Sequence, residues 1–217
     1  MAGDDILRRL RRFRNVQFPR FRRQFRALVD EGQRPTTLFI GCSDSRVVPY
    51  LLTGSGPGEL FMVRNVGNLV PPFDASQGFH GTAAAIEFAV LTLKVREIVI
   101  CGHSHCGAIR ALYADPNPAT PHTNRWLDLA RDAALPVQPA AEALRRTEQR
   151  SVALQMDRLM SYPMVAEIPF ATGHPGLLDP GQETAYCSRS GPGAGASGAT
   201  NSPRSTSSTS TVPSSMM

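Results

Sequence analysis

Lysine is all but missing from this chain: Lys94 stands alone against 22 arginines. That imbalance reads as a compositional habit of the source. Nothing in the arginine-rich start resembles a groove-reading motif, so nucleic acid is not an expected partner. A long apolar run is missing too. The uncharged stretch from Ala75 to Ile86 is too short, and too rich in Gly and Ala, to span a membrane. The N-terminus has no apolar segment of the kind a signal peptide needs, and Asp4 and Asp5 weigh against an organelle transit peptide. Cysteine is sparse, at four residues. Without an export signal these are expected to be reduced thiols in a cytoplasm, which disfavours a disulfide framework.

What remains is enough for one sizeable core and a loose appendage in 217 residues. Of the formal net charge of +5, residues 1–34 carry ten arginines against Asp4, Asp5, Asp30 and Glu31, a balance of +6. The high pI therefore belongs to an arm, and the rest is close to neutral. Ile6, Leu10 and Phe13, then Phe18, Phe21, Phe25 and Leu28, recur at spacings of three and four. This is the apolar stripe of two amphipathic helices, broken near Pro19 and ended by Gly32. So much aromatic surface on a short arm suggests docking on a partner subunit.

Beyond the arm, Thr37 to Ile40 reads as a buried strand ending at Gly41-Cys42, Leu60 to Val63 as a second, and Glu97 to Cys101 as a third. Gly81 to Leu93 reads as a buried helix between them, and a short helix from Ala108 to Tyr113 follows the third strand. Residues 115–124 read as a loop, and 125–134 and 139–160 as helices. The expected fold class is α/β, a mostly parallel central sheet flanked by helices, with the N-terminal helical arm (1–34), a core (35–165) and a tail (166–217). The tail is dense in Ser, Gly, Pro and Thr and reads as disordered.

Two strings carry the chemistry. C-S-D-S-R runs from Cys42 to Arg46, and G-H-S-H-C-G from Gly102 to Gly107. Each follows an apolar strand, and in parallel sheets sites form beyond the carboxyl ends of strands. Two thiolates and one imidazole suit a tetrahedral zinc ion. Cys42 and Cys106 could each be an ordinary buried thiol, but His103-x-x-Cys106 lets one turn supply two ligands, with Cys42 the third. His105 directly precedes Cys106, and adjacent residues converge poorly on one ion. It is left as a neighbour of the site, able to move protons, or as a surface turn residue. Asp44 and Arg46 could be a plain ion pair. Alternatively Asp44 takes the fourth zinc position, or Arg46 holds it away and leaves that position to water, which zinc acidifies.

With R-N-V-G-N-L-V-P-P at Arg64 to Pro72 between them, C-x-D-x-R and H-x-x-C closely resemble the motifs of the β-class carbonic anhydrases, over about Gln24 to Val165. The resemblance implies an α/β sheet whose N-terminal helices embrace a second subunit, in a homodimer or higher homo-oligomer. It implies one Zn2+ per subunit on Cys42, His103 and Cys106, with Asp44–Arg46 as the dyad gating the fourth position. It also implies Gln33 as a pocket donor across the dimer, Phe61, Val66 and Phe88 as apolar walls for CO2, and Gly107 as a backbone donor to bicarbonate. The reaction implied is reversible hydration of CO2 to bicarbonate and a proton through zinc-bound hydroxide. Relatives that switch off with bicarbonate carry a tryptophan where Phe39 stands here, so that switch is not expected despite Arg64.

After Val165 the chain departs from the family. A reading frame shifted near that residue would account for the change, since an Arg-rich, GC-biased gene read out of frame gives this composition. A lost final strand would expose a sheet edge and weaken assembly. His174 and Cys187 lie in that tail, away from the proposed ligands. Three rival readings are a carbon disulfide or carbonyl sulfide hydrolase of the same fold, an inactive truncated homologue, and a zinc module binding nucleic acid through the arm. The last would leave Asp44–Arg46 idle.

Overall fold

The computed structural model describes residues 2–73, 80–166, 173–177 and 185–190. The arm is helical throughout: α1 (Ala2–Arg12) passes through a π-helical turn at Phe13–Gln17 into α2 (Phe18–Asp30). The break expected near Pro19 is absent. Proline cannot donate the usual helical hydrogen bond and its ring crowds the carbonyl four residues back. The wider turn just before it, closed by the Phe18 N–H on Phe13 O, lets the run continue without a break. No residue of the π turn or of α2 is buried, and Ile6, Leu10 and Phe13 lie open.

The core then builds β1 (Thr37–Cys42), α3 (Pro49–Thr53), β2 (Leu60–Asn65), α4 (Gly81–Glu87, continued by a π turn over Phe88–Thr92) and β3 (Glu97–His103). It continues with α5 (Gly107–Ala111), α6 (Pro121–Leu127), α7 (Ala141–Met160) and α8 (Pro163–Ala166). Residues read from the sequence as loop at 121–124 are the start of α6, where Pro121 sits in the first turn that tolerates proline. The second half of the expected 125–134 helix is a 3-10 helix, Asp128–Ala133.

β1 is flanked by β2 and β3, both parallel to it, with Cys42 opposite Asn65 and Gly41 opposite Cys101. Leu38, Phe39 and Ile40 are all buried, as expected of a parallel strand covered on both faces. Leu38, Ile40, Ile98 and Ile100 pack with Ile86 of α4 and with Val152 and Leu159 of α7 in the main core. A smaller cluster beyond the carboxyl ends of the strands gathers Cys42, Val47, Leu69, Cys106 and Ile109.

Within the tail read as disordered, two short strands are described, β4 (Gly173–Leu177) and β5 (Ala185–Ser190). β5 pairs antiparallel with β3, and β4 with β5, so the sheet order is β2-β1-β3-β5-β4. The open edge of β3 would otherwise leave its backbone groups without partners. Pairing there needs no apolar periodicity in the added strand, which is why composition did not reveal it. The rest of the tail lies outside the described residues. Among the described residues, no helix is long and apolar enough to cross a membrane.

Candidate metal centre

β1 ends at Cys42 and β3 at His103, side by side. From β1 the chain moves outward to β2 and then returns to the other side as β3. The two ligand turns therefore emerge where the strand order reverses. Gly102 permits the approach: a Cβ there would stand 2.7 Å from Val152 Cγ2 of α7. The turn after His103 runs through His105, at φ +55°, and delivers Cys106 at the start of α5.

The sulfurs of Cys42 and Cys106 and a ring nitrogen of His103 lie within 4.8 Å of one another, and all three residues are buried. This is the one such donor group among the described residues. His103 Nδ1 meets the Ser104 carbonyl at 2.9 Å. A carbonyl only accepts, so Nδ1 carries the proton and Nε2 keeps its lone pair. Buried Nε2 has no hydrogen-bond partner. An orphaned lone pair facing two sulfurs is what a metal would satisfy. Tetrahedral zinc bonded to these donors sets them roughly 3.5–3.8 Å apart, a small closure from the spacing seen. His105 is exposed and outside the group.

The two thiols behave as a pair. Cys42 is pushed down to about 4, chiefly by the hydrogen bond from Cys106, helped by His103 and the backbone N–H groups of Asp44 and Gly67 against the effect of burial. Cys106 is pushed up by the neighbouring Cys42 sulfur and by burial. Burial lowers the His103 pKa, but Cys42 and Asp44 outweigh it and the net shift is upward.

Asp44 is clasped by Arg46. Its Oδ1 accepts from Arg46 N and Nε, both at 3.0 Å, and its Oδ2 from Nη2 at 2.9 Å. These bonds hold the carboxyl well below the usual carboxylate range. Oδ2 stands 3.9 Å from His103 Nε2, beside the donor triangle and outside it. Arg46 Nη2 also donates to His105 O at 2.9 Å, joining the two turns.

Two side chains brace the cysteine backbone; the sequence offered Arg64 only as part of a motif and a regulatory switch, and did not single out Glu148. Arg64, at the end of β2, donates to Cys42 O at 3.0 Å and to Asp44 O at 2.7 Å. Glu148, buried on α7, accepts the Cys106 N–H at 3.0 Å, and burial pushes its carboxyl pKa up. Cys106, His105 and Glu148 border a cleft of about 650 Å3 between the histidine turn and α7. The Arg64–Pro72 segment is tied down as well. Asn65 closes on Leu69 through both amide atoms, Val70 N donates to Gln155 Oε1, and Tyr162 donates to Pro71 O.

The remaining expected site residues divide by sheet end. Val66 follows β2 at the metal end, its carbonyl accepting the Trp126 indole N–H at 2.7 Å, and Gly107 follows Cys106. Phe61 stands opposite Leu38, four residues down the sheet from the Cys42 rung, and its ring lies 5.7 Å from that of Phe88. Gln33 precedes β1 and is exposed. Within one chain, Gln33, Phe61 and Phe88 thus sit at the far end of the sheet, about 13 Å or more from the metal end.

Residues 37–172 match a family model described as carbonic anhydrase. The carbonic anhydrase of Pseudomonas aeruginosa is 39% identical over 176 residues, covering 79% of this chain and 74% of that protein. That of Synechococcus elongatus is 50% identical over 107 residues, which are 49% of this chain and 38% of the relative, so the match spans well under half its length. The solved structure of the β-carbonic anhydrase CcaA superposes with a TM-score of 0.70 at 34% identity, over 76% of each chain. The parallel sheet, the buried two-sulfur, one-nitrogen triangle and these matches agree: the chain belongs to the β-carbonic anhydrase family.

Proposed function

We propose that this chain binds one zinc ion at Cys42, His103 and Cys106 and catalyses the reversible hydration of CO2 to bicarbonate and a proton. The observation that carries the reading is the buried donor triangle with an unpartnered Nε2, set beside a carboxylate clasped by Arg46. When bound, zinc supplies a Lewis-acidic position that makes a water acidic near neutral pH. Two thiolates donate more charge than imidazoles would and work against that acidity. The Arg46 guanidinium supplies compensating positive charge, and Asp44 supplies an acceptor fixed in its ionised form. Arg64 and Glu148 hold the backbone of the two cysteine ligands, so the triangle is set before any metal arrives.

The pocket belongs to two chains in this reading. Val66 and Gly107 come from the chain holding the ion, and Gln33, Phe61 and Phe88 come from the facing end of a partner. Two features support a homodimer or higher homo-oligomer: the separation of these groups within one chain, and an arm with Ile6, Leu10 and Phe13 uncovered. Cysteine ligands hold zinc only as reduced thiolates, which supports a reducing cytoplasm as the compartment in this reading.

Stopped-flow CO2 hydration, with the rate divided by bound zinc across pH, tests the reading. The expected result is a rate that tracks zinc and rises with pH. A fully zinc-loaded protein that does not hydrate CO2 overturns it.

A further inference from the structure

A further buried thiol lies on β3, two residues before His103, outside the metal triangle. Cys101 is fully buried. In the antiparallel ladder between β3 and β5 it stands directly opposite Cys187. The ladder runs without a shift from Ile98 opposite Ser190 to His103 opposite Ala185, so the opposition does not depend on a bulge. Directly opposed residues in such a ladder have Cα atoms about 4.5 or 5.5 Å apart, according to the hydrogen-bonding position, and share a face. A disulfide spans Cα separations of about 4.4–6.8 Å, so either kind of position suits the bond. Cys187 lies beyond residue 172, where the family match ends, so this pairing belongs to the chain's own C-terminal segment.

We propose that Cys101 and Cys187 are a redox site that closes into a cross-strand disulfide by exchange with a small-molecule disulfide such as glutathione disulfide. Cys101 is sealed from solvent, so it is taken as the second thiol to exchange, after Cys187. The Cys187 thiolate attacks one sulfur of the small disulfide and expels a small thiolate, leaving a mixed disulfide. The Cys101 thiolate then attacks the Cys187 sulfur and expels the second small thiolate. Two protein thiols are oxidised and one small disulfide is reduced to two thiols, the two protons lost by the cysteines passing to the two expelled thiolates. The bond staples the β4–β5 hairpin to the sheet beside the metal ligand on β3. In a reducing cytoplasm it stays open and closes when the thiol pool is oxidised.

The test uses the zinc-loaded full chain, equilibrated in glutathione buffers of stepped ratio, quenched with an alkylating agent and read by mass before and after proteolysis. The expected outcome is a species lighter by two hydrogens, with a Cys101–Cys187 linked peptide that Cys187→Ser lacks. Cys42 and Cys106 then take the label once zinc is stripped. Oxidised wild type should also melt at a higher temperature than reduced wild type, with no such difference in Cys187→Ser. Labelling of Cys101 and Cys187 at every ratio overturns the proposal, as does a link between Cys42 and Cys106 alone. The readout is thiol state and not turnover, so it stands or falls separately from CO2 hydration.

Discussion

Arg46 acts on three partners from one position: both oxygens of Asp44 and the carbonyl of His105. Lysine keeps the charge but not the planar fork that meets all three. Arg46→Lys should keep its zinc, measured by metal analysis, while hydration falls by about 10-fold or more, the loss expected when a fixed group is no longer held in place. The Asp44 clasp also has a pH signature. Its pKa is lowered in the folded chain from an ordinary 3.8. A depressed carboxylate adds stability that is present above the unfolded value and lost as pH falls through the folded one. In metal-free protein, Asp44→Asn should therefore unfold at lower urea than wild type at neutral pH. That gap should close as pH drops below 3.8. A gap that persists unchanged into strong acid would assign the difference to packing instead.

The elements that carry ligands were legible because their signals are local. β1 and β3 are short apolar runs with glycine at the carboxyl end, and the spacing of His103 and Cys106 fits one turn. Glu148 and Gln155 were not legible, since on α7 they look like solvent-facing residues. Only the packing of that helix on β3 brings one to Cys106 N and the other to Val70 N. The arm's continuity was hidden because proline signals a break, and a π turn is visible only in the backbone. β5 was hidden because an edge-filling strand is selected by hydrogen bonding and not by side-chain pattern. Gly102 shows how little room the helix leaves. Gly102→Ala sets a methyl 2.7 Å from Val152 Cγ2. Overpacking of this kind costs about 1–3 kcal/mol, so the urea midpoint should fall. Val152→Ala in the same chain should restore part of it; no recovery would place the strain elsewhere.

In the whole molecule, the expected pocket residues are divided between the two ends of one sheet, so on the proposed reading an isolated chain would hold two half-sites. Cys42→Ser removes a ligand from its own half-site and leaves Gln33 able to serve a partner. Gln33→Ala does the reverse. Each variant alone should be nearly inactive. Mixed, unfolded and refolded together, they should recover about a quarter of wild-type activity, because random pairing in a two-fold dimer leaves one of four sites intact. Mixtures that stay as inactive as their parents would put the complete site within one chain. The molecule also carries its own optical probe. Trp126 is the only tryptophan, and its indole N–H is bonded to the Val66 carbonyl at the rim of the metal centre. Its emission colour should respond to changes at that hydrogen bond and its quenching by iodide to solvent access, so anions entering the pocket and subunits closing over it should be visible in real time without a dye.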